Sequence, residues 1–94
     1  MAARIDVEKR DRAGTFLVVV TEGGSRSSHE VVLDDGYYRK LTAGKVAPEE
    51  LLRRSFEFLL EREPKESILT TFRLPVIARY FPEYEREIAR RLGG

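Results

Sequence analysis

The chain has 94 residues, of which 41% are hydrophobic and 35% are charged, and its net charge is +1. This length suits a single domain over residues 1–94, and the hydrophobic content excludes wholesale disorder. The 17 Lys and Arg residues nearly balance the 16 Asp and Glu residues. The chain therefore lacks the overall basic excess that drives non-specific binding to nucleic acids or membrane surfaces, although a local basic patch is compatible with this balance.

The residue types that are missing narrow the class further. The chain contains no Cys, which excludes disulfides and thiolate zinc sites. The polar start resembles no signal peptide, and no apolar run approaches the roughly 18 residues of a membrane helix. We therefore expect a cytoplasmic protein without membrane association. Asn and Gln are also absent, which indicates either a thermophilic source or a GC-rich genome.

Three strands are predicted in the first third of the chain. Residues 4–8 alternate polar and apolar side chains, as a half-buried strand does. Residues 15–21 form a β-branched and aromatic run that is apolar on both faces, so we expect a central strand. Residues 22–28 are predicted as a flexible hairpin connection, followed by a third strand at residues 29–33. Short connections favour an antiparallel meander.

The rest of the chain is predicted to be helical. A short helix capped by Asp34 or Asp35 should contain Tyr37 and Tyr38 and end at Gly44. The sequence predicts a long helix at 48–63 after Pro48, one or two helical turns at 66–71, a short helix at 75–81, and a last helix from Pro82 to residue 92.

The long helix carries an apolar stripe made of Leu52, Ser55, Phe56 and Leu59, which Leu51 and Leu60 widen. The pattern as a whole predicts an α+β fold, a three-stranded antiparallel meander followed by three or four helices. Its strands should lie within residues 3–34 and its helices within residues 35–92.

Few residues point to chemistry. His29 is the only histidine, and alternation directs Ser28 away from it, so we expect Ser27 and Ser28 to be its neighbours in sequence only. The pair Asp34 and Asp35 is explained by helix capping. We accordingly predict no catalytic residue, no metal site and no cofactor.

Aromatic side chains interleaved with arginine are the best candidates for contacts with a partner. In sequence order they are Tyr37, Tyr38, Arg79, Tyr80 and Tyr84. Such side chains can stack on bases or proteins, and the alternative is that they dock a terminal helix onto the core. One residue of the adjacent pair Tyr37 and Tyr38 should face outward.

Three resemblances accompany these patterns. Residues 29–62, with a strand, an acidic helix start, Gly44 and a Leu-rich second helix, resemble the ribbon-helix-helix DNA-binding family, which implies a dimer whose paired strands enter the major groove. A wider stretch, from the third strand to Tyr84, resembles small bacterial proteins to which no function is attached. Residues 90–94 resemble the tail of ubiquitin-like proteins, although a glycine cap after the last helix explains Gly93 and Gly94 equally.

The expected function follows from the predicted central strand, which is apolar on both faces. A chain of this size has few helices with which to cover both faces of residues 16–20, so one face is expected to be an interface. We therefore predict a non-enzymatic protein-interaction domain that forms a homodimer or binds another protein. The alternative is a ribbon-helix-helix-like DNA-binding protein, and a hydrolase or transferase using His29 with Asp34 and Asp35 ranks last.

Overall fold

The computed structural model describes residues 3–93. It contains a four-stranded mixed sheet and four α-helices, so the α+β class is confirmed. In chain order the elements are β1 (Arg4–Lys9), β2 (Thr15–Glu22), β3 (Ser25–Val32), α1 (Asp35–Thr42), α2 (Pro48–Leu60), a 3₁₀ turn (Lys65–Ser67), β4 (Thr71–Arg73), α3 (Val76–Tyr80) and α4 (Tyr84–Arg91).

The first three strands form the predicted antiparallel meander, but the connection between β2 and β3 is not a long flexible loop. Gly23 and Gly24 form a tight two-residue turn with φ angles of 61° and 83°, and Glu22 pairs with Ser25. Positive φ at both central residues fits the turn that matches strand twist, and glycine adopts it without steric cost. As a result β3 begins at Ser25, and Ser27 belongs to the ladder.

The fourth strand corrects the expectation of a helix over residues 66–71 and of strands only within residues 3–34. After the 3₁₀ turn the chain extends, and β4 pairs in parallel with β3. The amide of Glu30 donates to Thr70 O at 2.7 Å, and the amide of Leu74 donates to Val32 O at 2.9 Å. Thr71 and Phe72 favour a strand, but three residues are too few to show alternation. The sheet order is β1-β2-β3-β4.

The helices pack on one face of the sheet. Helix α2 rests on the strands through Phe56, whose ring lies 5.3 Å from the His29 ring and 6.1 Å from the Phe72 ring. The predicted stripe is confirmed for most of its members, since only Leu60 is half-buried. The buried strand residues beneath α2 are Ile5, Phe16, Val18, Val20 and Val31.

Phe58 lies outside that stripe and is nevertheless fully buried. Its ring packs edge-on against Tyr84, with centroids 5.3 Å apart, and the Arg62 guanidinium lies 3.6 Å above it. The reason is that α2 is covered twice, by the sheet on one side and by α4 on the other. The molecule is therefore layered as sheet, α2 and α4.

Ion pairs join α4 and the residue before it to the residues that follow α2. Arg91 of α4 reaches Glu61 at 2.6 Å, and Arg62 reaches Glu83 at 3.1 Å. The hydrogen bond from Arg91 holds the pKa of the Glu61 carboxyl below its usual value. Helix α4 begins two residues after the predicted start at Pro82 and ends at Arg91, one residue before the predicted end. Gly93 follows with a φ of 83°, while Gly94 lies outside the described residues.

Candidate interaction surface

The face of the sheet that points away from the helices is exposed. We call it the open face. Its centre is formed by Leu17, Val19 and Thr21, which alternate with the buried residues of β2 and are only half-buried. The flanking side chains on β1, β3 and β4 are exposed, which shows that no element among residues 3–93 covers them: Arg4, Asp6, Glu8, Arg26, Ser28, Glu30, Thr71 and Arg73.

Strand register arranges these side chains in rows across the sheet. Leu17 lies between Glu8 and Glu30, and the next row places Val19 between Asp6 and Ser28. The third row places Thr21 between Arg4 and Arg26. Across β1, β2 and β3 the open face therefore has a narrow apolar centre, an acidic end and a basic end, and Arg73 of β4 lies just beyond Glu30 at the acidic end.

Several of these charges have no intramolecular partner. Within residues 3–93, no ion pair of 4.0 Å or less involves Glu8, Arg26 or Glu30. Arg4 and Asp6 do pair at 3.0 Å, with 77% and 52% of their side-chain surfaces exposed. The free charges of the open face are therefore available to a partner.

The tyrosines predicted to contact a partner are placed in different environments. Tyr37 and Tyr38 are both half-buried, so neither simply faces outward. The Tyr37 hydroxyl donates to Glu85 at 2.7 Å, and the Tyr38 hydroxyl donates to Val46 O. Burial, followed by the bond to Glu85, raises the pKa of Tyr37 well above its ordinary value. Both side chains hold α1 in place.

The last aromatic cluster is divided between core and surface. Tyr84 is fully buried and its hydroxyl lies 2.6 Å from Ser55 Oγ, so it docks α4 and presents nothing to a partner. Arg79 is exposed, and Tyr80 is 68% exposed. Of the five predicted contact residues, Arg79 and Tyr80 alone are exposed.

His29 has contacts that the sequence did not reveal. Its Nδ1 lies 2.8 Å from Leu69 O and its Nε2 lies 2.7 Å from Ser27 Oγ. Since a carbonyl only accepts, Nδ1 carries the proton and donates to Leu69 O, while Nε2 accepts from the Ser27 hydroxyl in the neutral ring. The expectation that Ser27 neighbours His29 in sequence only is therefore wrong.

This serine–histidine pair resembles an activated hydroxyl, and it also joins two parts of the fold. His29 is 1% exposed. Neither residue lines the groove near Tyr80 or the cavities at Gly14 and Lys45. The contact ties β3 to the segment that precedes β4. A nucleophile would need an adjoining cavity for its substrate.

The acidic pair before α1 acts as predicted. The Asp34 carboxylate accepts from the Tyr37 amide at 2.8 Å, and Asp35 pairs with Arg39 at 2.9 Å. The helix ends at Thr42 with Ala43, not Gly44, in the first left-handed position. In the described part of the chain, no three His, Asp or Glu side chains converge as a metal site.

The strand that a ribbon-helix-helix protein would use is partly enclosed here. β3 lies between β2 and β4, but β4 pairs only with Glu30–Val32, the last three residues of β3. In that family the corresponding strand pairs with the same strand of a second chain and enters the major groove. While β4 is in place, the outer edge of β3 at residues 30–32 is not available for that pairing.

Comparison of the chain with protein-family models, with curated proteins and with solved structures finds no match. Between residues 3 and 93, no helix combines the length and apolar character needed to cross a bilayer.

Proposed function

We propose that this protein is a non-enzymatic interaction domain that forms a homodimer through the open face of its sheet. The observation that carries the proposal is the row pattern of that face, an apolar centre between an acidic end and a basic end. A surface with this pattern is complementary to a copy of itself turned by 180°.

The twofold axis that satisfies the charges runs across the strands at Val19. It places Val19 against the partner's Val19, and the Leu17 row against the Thr21 row of the partner subunit. Glu8 then faces the partner's Arg4, and Glu30 faces the partner's Arg26. An axis midway between Leu17 and Val19 would instead place Glu8 against the partner's Asp6, which like-charge repulsion disfavours, and would leave Glu30 without a basic partner.

The size of the face limits the affinity. Three strands about 4.8 Å apart and about 20 Å long present roughly 300 Å² in plan. A standard interface buries roughly 800 Å² on each partner, so this contact belongs to the weak class. We expect a dissociation constant of about 10–100 μM, with exposed ion pairs contributing roughly 0.2–1 kcal/mol each.

A charge swap on β3 tests this arrangement. Arg26→Glu should weaken the dimer about tenfold, because a carboxylate then faces the Glu30 carboxylate of the partner subunit at two symmetry-related places. Glu30→Arg should weaken it similarly, and the double variant should restore the affinity. Arg26 and Glu30 are four positions apart on one strand, too far to pair within a protomer.

Sedimentation equilibrium from about 5 to 500 μM measures these affinities over the expected range. Arg12→Glu is the matched control, since it makes the same charge change at an exposed turn outside the open face. A chain that remains monomeric throughout this range would end the proposal. So would a dimer that ignores both single swaps, because such a dimer must use another surface, such as the free edge of β1.

A further inference from the structure

A second surface, distinct from the open face, lies on the helix side of the sheet beside β4. It is a groove of about 270 Å³ between the end of α2, the start of β4 and α3. We call it the β4 groove. Its lining is apolar apart from Ser67 and one carboxylate, and its main walls are Leu59, Ile68, Phe72, Val76, Ile77 and Phe81.

The rims of this groove carry the two most exposed large hydrophobic side chains in the described chain. Leu69 is 47% exposed and Tyr80 is 68% exposed, and both line the groove from opposite sides. Ordinary surfaces carry scattered single hydrophobic residues, but two that flank one apolar depression mark a contact site. The groove is therefore open to a side chain from outside.

Glu63 supplies the only charge in the lining. Its side chain has no hydrogen bond or ion pair to any residue between 3 and 93. Burial raises the pKa of this carboxyl. A partly buried carboxylate with no cation beside it can accept a basic group from a ligand, because pairing would offset the desolvation of the carboxylate.

β4 contributes main-chain groups at the same place. Glu30 N bonds to Thr70 O and Leu74 N bonds to Val32 O, so alternation directs the N–H and C=O of Phe72 toward β3. The corresponding groups of Thr71 and Arg73 therefore point away from the sheet, along a free edge. An edge of this kind pairs readily with another extended segment.

We propose that the β4 groove binds an extended segment of a partner protein, which adds a fifth strand to β4 and carries apolar side chains with a Lys or Arg between them on one face. The segment would pair with Thr71 and Arg73 through its main chain. Its inward side chains would alternate with outward ones, so residues two apart would enter the groove. The basic residue would meet Glu63.

A designed peptide tests this directly. The probe is acetyl-Thr-Leu-Thr-Lys-Thr-Leu-Thr-amide, which presents Leu, Lys and Leu on one face when extended. In NMR titrations of the full chain, the amides of Thr71 and Arg73 should shift. A peptide methylated on alternate backbone nitrogens should not bind, because it lacks the donors that a ladder needs.

Charge variants test the chemistry of recognition. Glu63→Gln should weaken binding of the Lys peptide about fivefold, and Glu63→Lys should reverse the preference toward a peptide with Glu in place of Lys. Glu8→Gln is the matched control on the open face. Equal binding of the methylated peptide, equal binding of the Lys and Glu peptides, or silent Thr71 and Arg73 amides at millimolar peptide would each overturn the inference.

The two surfaces are separable by experiment. Glu30→Arg should change self-association and leave peptide binding unchanged, while Leu69→Ser should reduce peptide binding and leave self-association unchanged. If Leu69→Ser lowers self-association instead, a second copy of this chain occupies the groove, and the inference of a different partner is wrong.

Discussion

The contact between Ser55 and Tyr84 is a sharp test of how α4 is held. The Ser55 hydroxyl donates to Leu51 O at 2.8 Å, so the Tyr84 hydroxyl donates to Ser55 Oγ at 2.6 Å. Both side chains are fully buried, and burial raises the pKa of Tyr84 above its ordinary value. The hydrogen bond therefore operates between neutral groups away from water.

The expected magnitudes are unequal. Tyr84→Phe removes the donor and should lower the free energy of unfolding by about 1 kcal/mol. Ser55→Ala leaves a buried tyrosine hydroxyl without an acceptor, at a cost of about 2 kcal/mol, from which the better helix propensity of Ala takes back about 0.5 kcal/mol. The double variant removes both polar groups and should be less destabilised than Ser55→Ala alone.

Urea unfolding followed by far-UV circular dichroism measures this cycle, since the chain has no Trp and one of its four Tyr is mutated. The propensity change cancels in the coupling energy, which should be about 1–2 kcal/mol. Additive effects of the two substitutions would refute the hydrogen bond. They would also reopen an exposed role for Tyr84.

Two further predictions concern contacts between residues that lie far apart in the chain. His29→Ala should lower the free energy of unfolding by about 3 kcal/mol, because it opens space beside Phe56 and leaves Leu69 O without its donor. The control is Ser28→Ala at the exposed neighbouring position, which should change the free energy of unfolding by less than about 0.5 kcal/mol in the same urea assay. The hydrogen bond from Arg91 lowers the pKa of Glu61 in the folded chain below its ordinary value. The stability that this pair contributes is therefore present above the ordinary pKa and is lost as the pH falls through the lowered one, so thermal melts should show stability declining toward acid, with a shallower decline in Glu61→Gln.

The elements with long periodic patterns could be predicted, and those that depend on distant pairing could not. Residues 15–21 and the stripe of α2 carry enough repeats to show their period. β4 has three residues, and its extended state depends on β3 being alongside. Phe58 lies off the stripe because α4 covers a second side of α2, which no local period reveals.

The interaction surfaces show the same division. The apolar second face of β2 is visible in the sequence because residues 16–20 are apolar without interruption. The charge pattern of this face is not visible in the sequence, because the alignment of Glu8 with Glu30 across Leu17 depends on two strand registers. Tyr80 was singled out by its aromatic character, but the β4 groove around it needs Leu69 and Glu63, which reach it from other elements.

The contact between His29 and Leu69 joins positions 40 apart in the chain. A loop of that length must close before β4 gains its few hydrogen bonds, and closure costs entropy while three residues return little. We therefore expect β4 to be the last strand to join during folding and the first to detach in the native state. The amides of Phe72 and Leu74 should exchange with solvent far faster than those of Val18 and Val20, through a partial opening that leaves the meander intact.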